Sequence, residues 1–164
     1  MIRRNLFLAG AAATGAGLAA PALLRPAAAQ AMDRTTQMAL GGMAFALATS
    51  QLALQRAESP MARTFAQLEA EEQMAFAEAR RMGGLPVPSP SMMDAQKQQM
   101  VQQLQTMSGS QFDRMYVQGQ IMGHNELLAL NSAYAQAGFD TQGRSVATLA
   151  VPSIQTHLTI LSRL

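Results

Sequence analysis

Glycine, proline and capping residues divide the chain beyond residue 33 into segments that have helical length and lack a strand pattern. Ser59-Pro60 and Gly83-Gly84 mark two of the breaks, and these residue types begin or end helices far more often than they lie inside them. Between the breaks, apolar residues recur every three or four positions, which is the helical period. The sequence therefore predicts an all-α fold.

The breaks define five predicted helices, of which the third is short. Their approximate bounds are 34–57, 60–82, 91–107, 111–137 and 141–163. The short helix lies in the long connection between two helical hairpins. Two hairpins joined by a long crossover form the topology of ferritin-like four-helix bundles. In that topology the second and fourth helices run parallel, and residues 30–164 make one domain.

The first 29 residues have the layout of a secretory signal peptide. Arg3 and Arg4 precede a long uncharged run, and alanines follow at positions 27–29 and 31. A basic start, an apolar stretch and a small-residue end are the three parts of such a signal. Cleavage is expected after Ala29 or after Ala31. Paired arginines favour twin-arginine export but also occur in Sec signals, so both routes stay open. The mature protein is expected in the periplasm, free or associated with the cell envelope.

Loss of the signal peptide would change the charge of the chain. The whole sequence carries 12 basic and 10 acidic residues, for a net charge of +2. Three of the arginines lie in residues 1–29, which leaves 9 basic residues against 10 acidic ones in the mature chain. A nearly neutral chain lacks the basic patch that nucleic acid binding needs. The chain has no cysteine, which excludes a thiolate metal site, and no later apolar run reaches the ~20 residues of a membrane span. Protein partners and self-association are left open.

Three ionisable residues continue apolar stripes of the predicted helices. Glu72 does so in the second helix, His124 in the fourth and His157 in the fifth. At ~1.5 Å per residue, the two histidines lie at about the same height from the turn that joins their helices. Glu72 reaches that height if the second and fourth helices are parallel. We therefore predict that these three residues meet inside the bundle. The other glutamates of the second helix, Glu69 among them, are expected on its solvated face.

A carboxylate and two imidazoles in this position allow more than one interpretation. A buried hydrogen-bonded network that fixes the packing of the helices is the main one, with no cofactor and no catalytic residue. The alternative is a site for a divalent metal such as Fe, Zn or Mn, held by Glu72, His124 and His157. A general acid–base pair is a third use of the same groups. The Glu-x-x-His motifs of a di-iron bundle do not occur in the sequence.

Three segments of the chain together resemble a known family. They are residues 65–73, which read FAQLEAEEQ, residues 109–116, which read GSQFDRMY with His124 downstream, and residues 151–158, which read VPSIQTHL. This combination is typical of the exported bacterial family called domain of unknown function 4142, whose members are often labelled putative outer-membrane proteins. The similarity covers about residues 37–164.

The resemblance implies a ferritin-like helical bundle and supplies no activity. Many members of the family carry Asp-His where this chain has Glu71-Glu72, and a glutamate where it has Ala46. The family pattern therefore implies fewer metal ligands in this chain than in other members. The sequence as a whole predicts an exported, periplasmic, non-enzymatic helical protein with a structural or stress-associated role. The alternative is a ferritin-like protein that binds or oxidises a metal at the inner cluster.

Overall fold

The computed structural model describes the backbone of residues 25–164 and the side chains of residues 34–164. The predicted signal peptide, residues 1–29, lies outside the residues whose side chains are described. Over the described part the chain forms helices and turns without a strand, which confirms the all-α prediction. The elements are α1 (Arg25–Arg56), α2 (Pro60–Met82), a short 3-10 turn (Pro90–Met92), α3 (Ala95–Thr106), α4 (Gly109–Ala137) and α5 (Thr141–Leu161).

Three of the helices begin at a residue whose side chain accepts a backbone N–H of the first turn. These caps are Ser59 for α2, Asp94 for α3 and Asp140 for α5. Such a cap satisfies a donor that has no partner within the helix and contributes about 1 kcal/mol. α3 begins four residues after the predicted start at 91, because Pro90–Met92 forms the separate 3-10 turn and the cap is Asp94 rather than Ser91.

α1 is the central helix and packs against α2, α3 and α4, while α5 packs mainly on α4 and also contacts α2. α2 and α4 run in the same direction, because their contacts advance together along both helices. In order, these contacts are Ser59 with Asp113, Phe65 with Tyr116, and Glu69 with His124. Residues at matching positions of α2 and α4 therefore lie at one height in the molecule.

The main core combines large aromatic side chains with small residues on the facing helices. Phe65, Phe112 and Tyr116 are each at most 1 % exposed. Alanines of α1 and α2 pack against them and let these two helices approach closely. Phe65 of this core packs against the rings of His124 and His157, which belong to the polar cluster described below.

At Gly41, α1 approaches the 3-10 turn closely. A Cβ at this position would lie 2.4 Å from the carbonyl oxygen of Met92, which is backbone and cannot rotate away. We expect Gly41→Ala to lower the free energy of unfolding by about 1–3 kcal/mol, the usual cost of overpacking. Gly83→Ala is the control, because its Cβ would meet nothing closer than 3.5 Å. Urea unfolding measures both, and equal stability of the two variants would contradict the close approach.

Candidate metal centre

The polar cluster lies where α2, α4 and α5 meet. α2 contributes Glu69 and Glu72, α4 contributes His124, and α5 contributes His157. Glu69 and His124 are at most 1 % exposed and His157 is 7 % exposed. The structure therefore brings together the two histidines that the sequence singled out, at the predicted height.

The carboxylate at the centre of the cluster is Glu69, and the prediction that it lies on a solvated face is wrong. α2 buries the face that carries Ala62, Phe65, Ala66, Glu69, Ala70 and Gln73. The predicted stripe through Leu68 and Glu72 is displaced around the helix, and Leu68 is 50 % exposed. The inner face is the one with small alanines because α1 packs closely there. That row of alanines was the signal in the sequence that could have identified Glu69.

Three atoms converge at the centre. Glu69 Oε2 lies 2.6 Å from His157 Nδ1 and 3.2 Å from His124 Nε2. The two ring nitrogens lie 3.2 Å from each other. Glu72 stands outside this triangle, and its Oε2 lies 3.3 Å from His157 Nε2.

Each of the three converging groups is held at its other end by a further partner. His124 Nδ1 lies 2.8 Å from the backbone oxygen of Gln120, and since a carbonyl only accepts, this nitrogen carries a proton. Gln73 Nε2 donates to Glu69 Oε1 at 2.9 Å. Glu72 holds His157 Nε2 and is itself held by Ser153, whose hydroxyl donates to Glu72 Oε1 at 2.6 Å.

The electrostatics of the cluster favour a charged His157 between two carboxylates. Burial alone would lower the pKa of His157, but its hydrogen bonds to Glu69 and Glu72 outweigh that effect and raise the pKa to about 9. Burial would raise the pKa of Glu69, but its interactions with His124 and His157 outweigh that effect and lower the pKa to about 2. The pKa of Glu72 is also lowered: burial opposes this, and the hydrogen bonds from His157 and Ser153 prevail. At neutral pH the imidazolium therefore pairs with both glutamates.

A second polar network ties this cluster to α1, which supplies none of the converging atoms. Gln120 Nε2 donates to Thr49 Oγ1 at 2.8 Å and lies 3.2 Å from Ser50 Oγ. Ser50 in turn shares a hydrogen bond of 2.9 Å with the Tyr116 hydroxyl. Since the backbone oxygen of Gln120 accepts from His124, α1 fixes the stretch of α4 that orients this imidazole.

The three converging atoms have the chemistry and spacing of metal ligands. Among the described residues, Glu69, His124 and His157 form a group whose ligand atoms all lie within 4.8 Å of one another. Ligands ~2.1 Å from one ion, at angles between octahedral and tetrahedral, are ~3.0–3.4 Å apart. Two of the three separations are 3.2 Å. The third, 2.6 Å, is a charged hydrogen bond, which would lengthen once an ion replaced its proton.

The fold and the cluster define the molecule as an all-helical protein with a buried carboxylate–imidazole centre. The chain belongs to the family described as domain of unknown function 4142, whose model matches residues 16–164. No curated protein matches the chain. Among solved structures, it is similar to the crystal structure of a DUF305 fragment from Deinococcus radiodurans, at 19% sequence identity and a TM-score of 0.61. That similarity covers 80% of this chain and 96% of the other, and it concerns the fold alone.

Within the part of the chain that the structure describes, every helix is too short or too polar to cross a membrane.

Proposed function

We propose that this protein binds one divalent transition metal ion through Glu69 Oε2, His124 Nε2 and His157 Nδ1. The observation that carries the proposal is that each ligand side chain is held at two points. All three donor atoms point to one place, and the far end of each side chain is held by Gln120, Gln73 or Glu72. Metal-binding histidines characteristically donate their second ring N–H to a carbonyl or a carboxylate, which fixes the tautomer and the ring orientation.

Two nitrogen donors and one oxygen donor, without a thiolate, suit Zn, Fe or Mn in the divalent state. Three protein ligands leave at least one coordination position for water or a small anion. Metal binding requires His157 Nδ1 to lose its proton. His157 Nε2 keeps its proton and continues to donate it to the carboxylate of Glu72. Glu72 therefore keeps a role in the centre, as the partner of a ligand rather than as the ligand that the sequence predicted.

A metal-independent structural role is the second candidate, and the ion pair favours it. A protonated His157 between Glu69 and Glu72 joins α5 to α2 without any ion. Each charge in this arrangement has a partner, as burial requires. The two candidates differ in whether a metal displaces the proton at a physiological concentration.

Titration of chelator-treated protein with Zn²⁺, in competition with a chromogenic chelator, separates the two candidates. The metal proposal expects one equivalent to bind and to raise the melting temperature, because an ion that binds only the folded chain stabilises it by mass action. His124→Ala and His157→Ala should both lose that equivalent. If wild-type protein and both variants compete equally weakly, the cluster is a structural network.

Glu72→Gln should weaken metal binding by about 10–100-fold, the usual effect of losing a charged outer partner of a ligand. The amide keeps the shape of the side chain and removes the charge that holds the Nε2–H of His157. Glu71→Gln is the matched control, because Glu71 is exposed and bonds only Gln67 among the described side chains. The same competition titration measures both variants, and an unchanged affinity in Glu72→Gln would remove Glu72 from the centre.

The ferritin-like topology and the periplasmic location also belong to this proposal. The parallel course of α2 and α4 supports the first, since it is the arrangement that a long crossover produces. The basic start, uncharged run and alanine-rich end of residues 1–29 support export.

The export proposal has its own test. Intact mass of protein from the periplasmic fraction should be short by about 29 to 31 residues, the length of the signal. Replacement of both Arg3 and Arg4 by lysine should block export by the twin-arginine route, whereas continued export would indicate the Sec route. Full-length protein in that fraction would contradict cleavage.

A further inference from the structure

A separate cavity of about 570 Å³ opens at the end of the molecule where α2 and α4 finish and α5 begins. Most of its wall is apolar and includes Ala39, Leu85, Leu130, Phe139 and Ala147. Its volume lies in the range of sites that take small organic molecules. At ~1.5 Å per residue, Arg80 lies about 16 Å along α2 from Glu69, so the cavity and the metal centre are different sites.

Among the described residues, Arg80 interacts electrostatically with Asp140 in the cavity wall but forms no direct salt bridge with it. Asp140 is fully engaged, because one carboxylate oxygen accepts from the Tyr134 hydroxyl and the other from the Gly143 N–H. Arg80 donates through Nε to the backbone oxygen of Pro86 at 2.7 Å. Among the described residues, none accepts from the two terminal nitrogens of Arg80. The Arg80 side chain is half-buried, and its terminal N–H groups can donate to a ligand.

We infer that this cavity binds a small carboxylic acid with an apolar chain, its carboxylate on Arg80 and its chain against the apolar wall. A guanidinium presents two parallel N–H groups that match the two oxygens of a carboxylate. The pairing would give a cation that is partly removed from water the direct carboxylate partner that Asp140 does not provide, since Asp140 accepts from Tyr134 and Gly143. The apolar wall gains by losing contact with water when the chain enters.

Calorimetric titration with octanoate tests the inference, with 1-octanol as a probe of the same chain length and no charge. Octanoate should bind with one-to-one stoichiometry and at least tenfold more tightly than 1-octanol. Arg80→Gln should weaken octanoate binding at least tenfold and leave 1-octanol binding unchanged. Arg81→Gln is the matched control, because Arg81 is exposed and already paired with Glu78 at 2.6 Å.

Two more variants keep the test decisive. Ala39→Leu should reduce octanoate binding by narrowing the cavity while Arg80 stays in place, which covers the case that Arg80→Gln fails to fold. Glu71→Gln should bind octanoate like the wild type, since Glu71 is exposed and does not line the cavity. The inference fails if octanoate shows no saturable binding at millimolar concentration, if Arg80→Gln binds it as tightly as Arg81→Gln, or if 1-octanol binds as tightly as octanoate.

Discussion

Glu69→Gln should remove metal binding from this protein. Among the described residues, Glu69 brings the only carboxylate to the point where both imidazoles converge. The amide has nearly the same volume, but it brings no negative charge to the ion. We expect the affinity for Zn²⁺ to fall by more than the ~10–100-fold that follows the loss of an outer partner. Competition titration gives this loss directly, and Glu71→Gln, on the exposed face of the same helix, should show none of it.

The same substitution should destabilise the chelator-treated protein by about 3 kcal/mol at neutral pH. Breaking a buried ion pair on one side costs about 3–5 kcal/mol, because the other charge is left without its partner. The lower end applies here, since His157 can lose its proton and still hold Glu72. Urea unfolding in the presence of chelator measures the loss. A change below ~0.5 kcal/mol, the range of ordinary surface substitutions, would mean that Glu69 carries no charge in the folded protein.

Stability and metal affinity should respond to pH in opposite directions. The pKa of His157 is raised from its ordinary value near 6.5 to about 9 in the folded protein. The stabilisation from this group is therefore complete below pH 6.5 and is lost as the pH rises through 9. In chelator-treated protein we expect the free energy of unfolding to fall by up to about 3 kcal/mol over that range.

Metal affinity should rise over the same range, because the ion competes with the proton on His157 Nδ1. One displaced proton corresponds to a gain of about tenfold per pH unit. Chemical unfolding and Zn²⁺ competition at pH 6.5, 7.5 and 9 cover both curves. His157→Gln should flatten the stability curve. If the wild-type curve is equally flat, His157 does not hold its proton through the ion pairs described here.

The acid side of the profile depends on Glu69. Its pKa is lowered to about 2, so the stabilisation from the ionised carboxylate is present above pH 4.5 and is lost as the pH falls towards 2. The contributions of His157 and Glu69 to stability are not added together, because both describe the same ion pair.

The sequence was sufficient to identify the histidines because each continues a stripe of large apolar residues. Few other positions on α4 and α5 were candidates for an inward-facing polar residue. A residue count from the turn between these helices placed His124 and His157 at the same height in the molecule. Glu69 could not be chosen in the same way, since α2 has two overlapping faces at helical spacing that share Phe65. Which face turns inward depends on how closely α1 approaches, and that is a tertiary property.

The start of α3 shows a similar limit. Ser91 and Asp94 are both good capping residues, so local preference does not choose between them. The choice follows from the 3-10 turn at Pro90–Met92, whose Met92 carbonyl lies against Gly41 of α1. Packing between distant segments therefore decides where this helix begins.

X-ray absorption at the zinc edge, on protein loaded with one equivalent of Zn²⁺, tests the metal centre most directly. We predict two imidazole nitrogens and at least one oxygen at ~2.0–2.2 Å from the ion. His124→Ala and His157→Ala, loaded under the same conditions, should each lose one imidazole or fail to bind. A zinc shell without imidazole, or one that is unchanged in both variants, would contradict a metal centre at Glu69, His124 and His157.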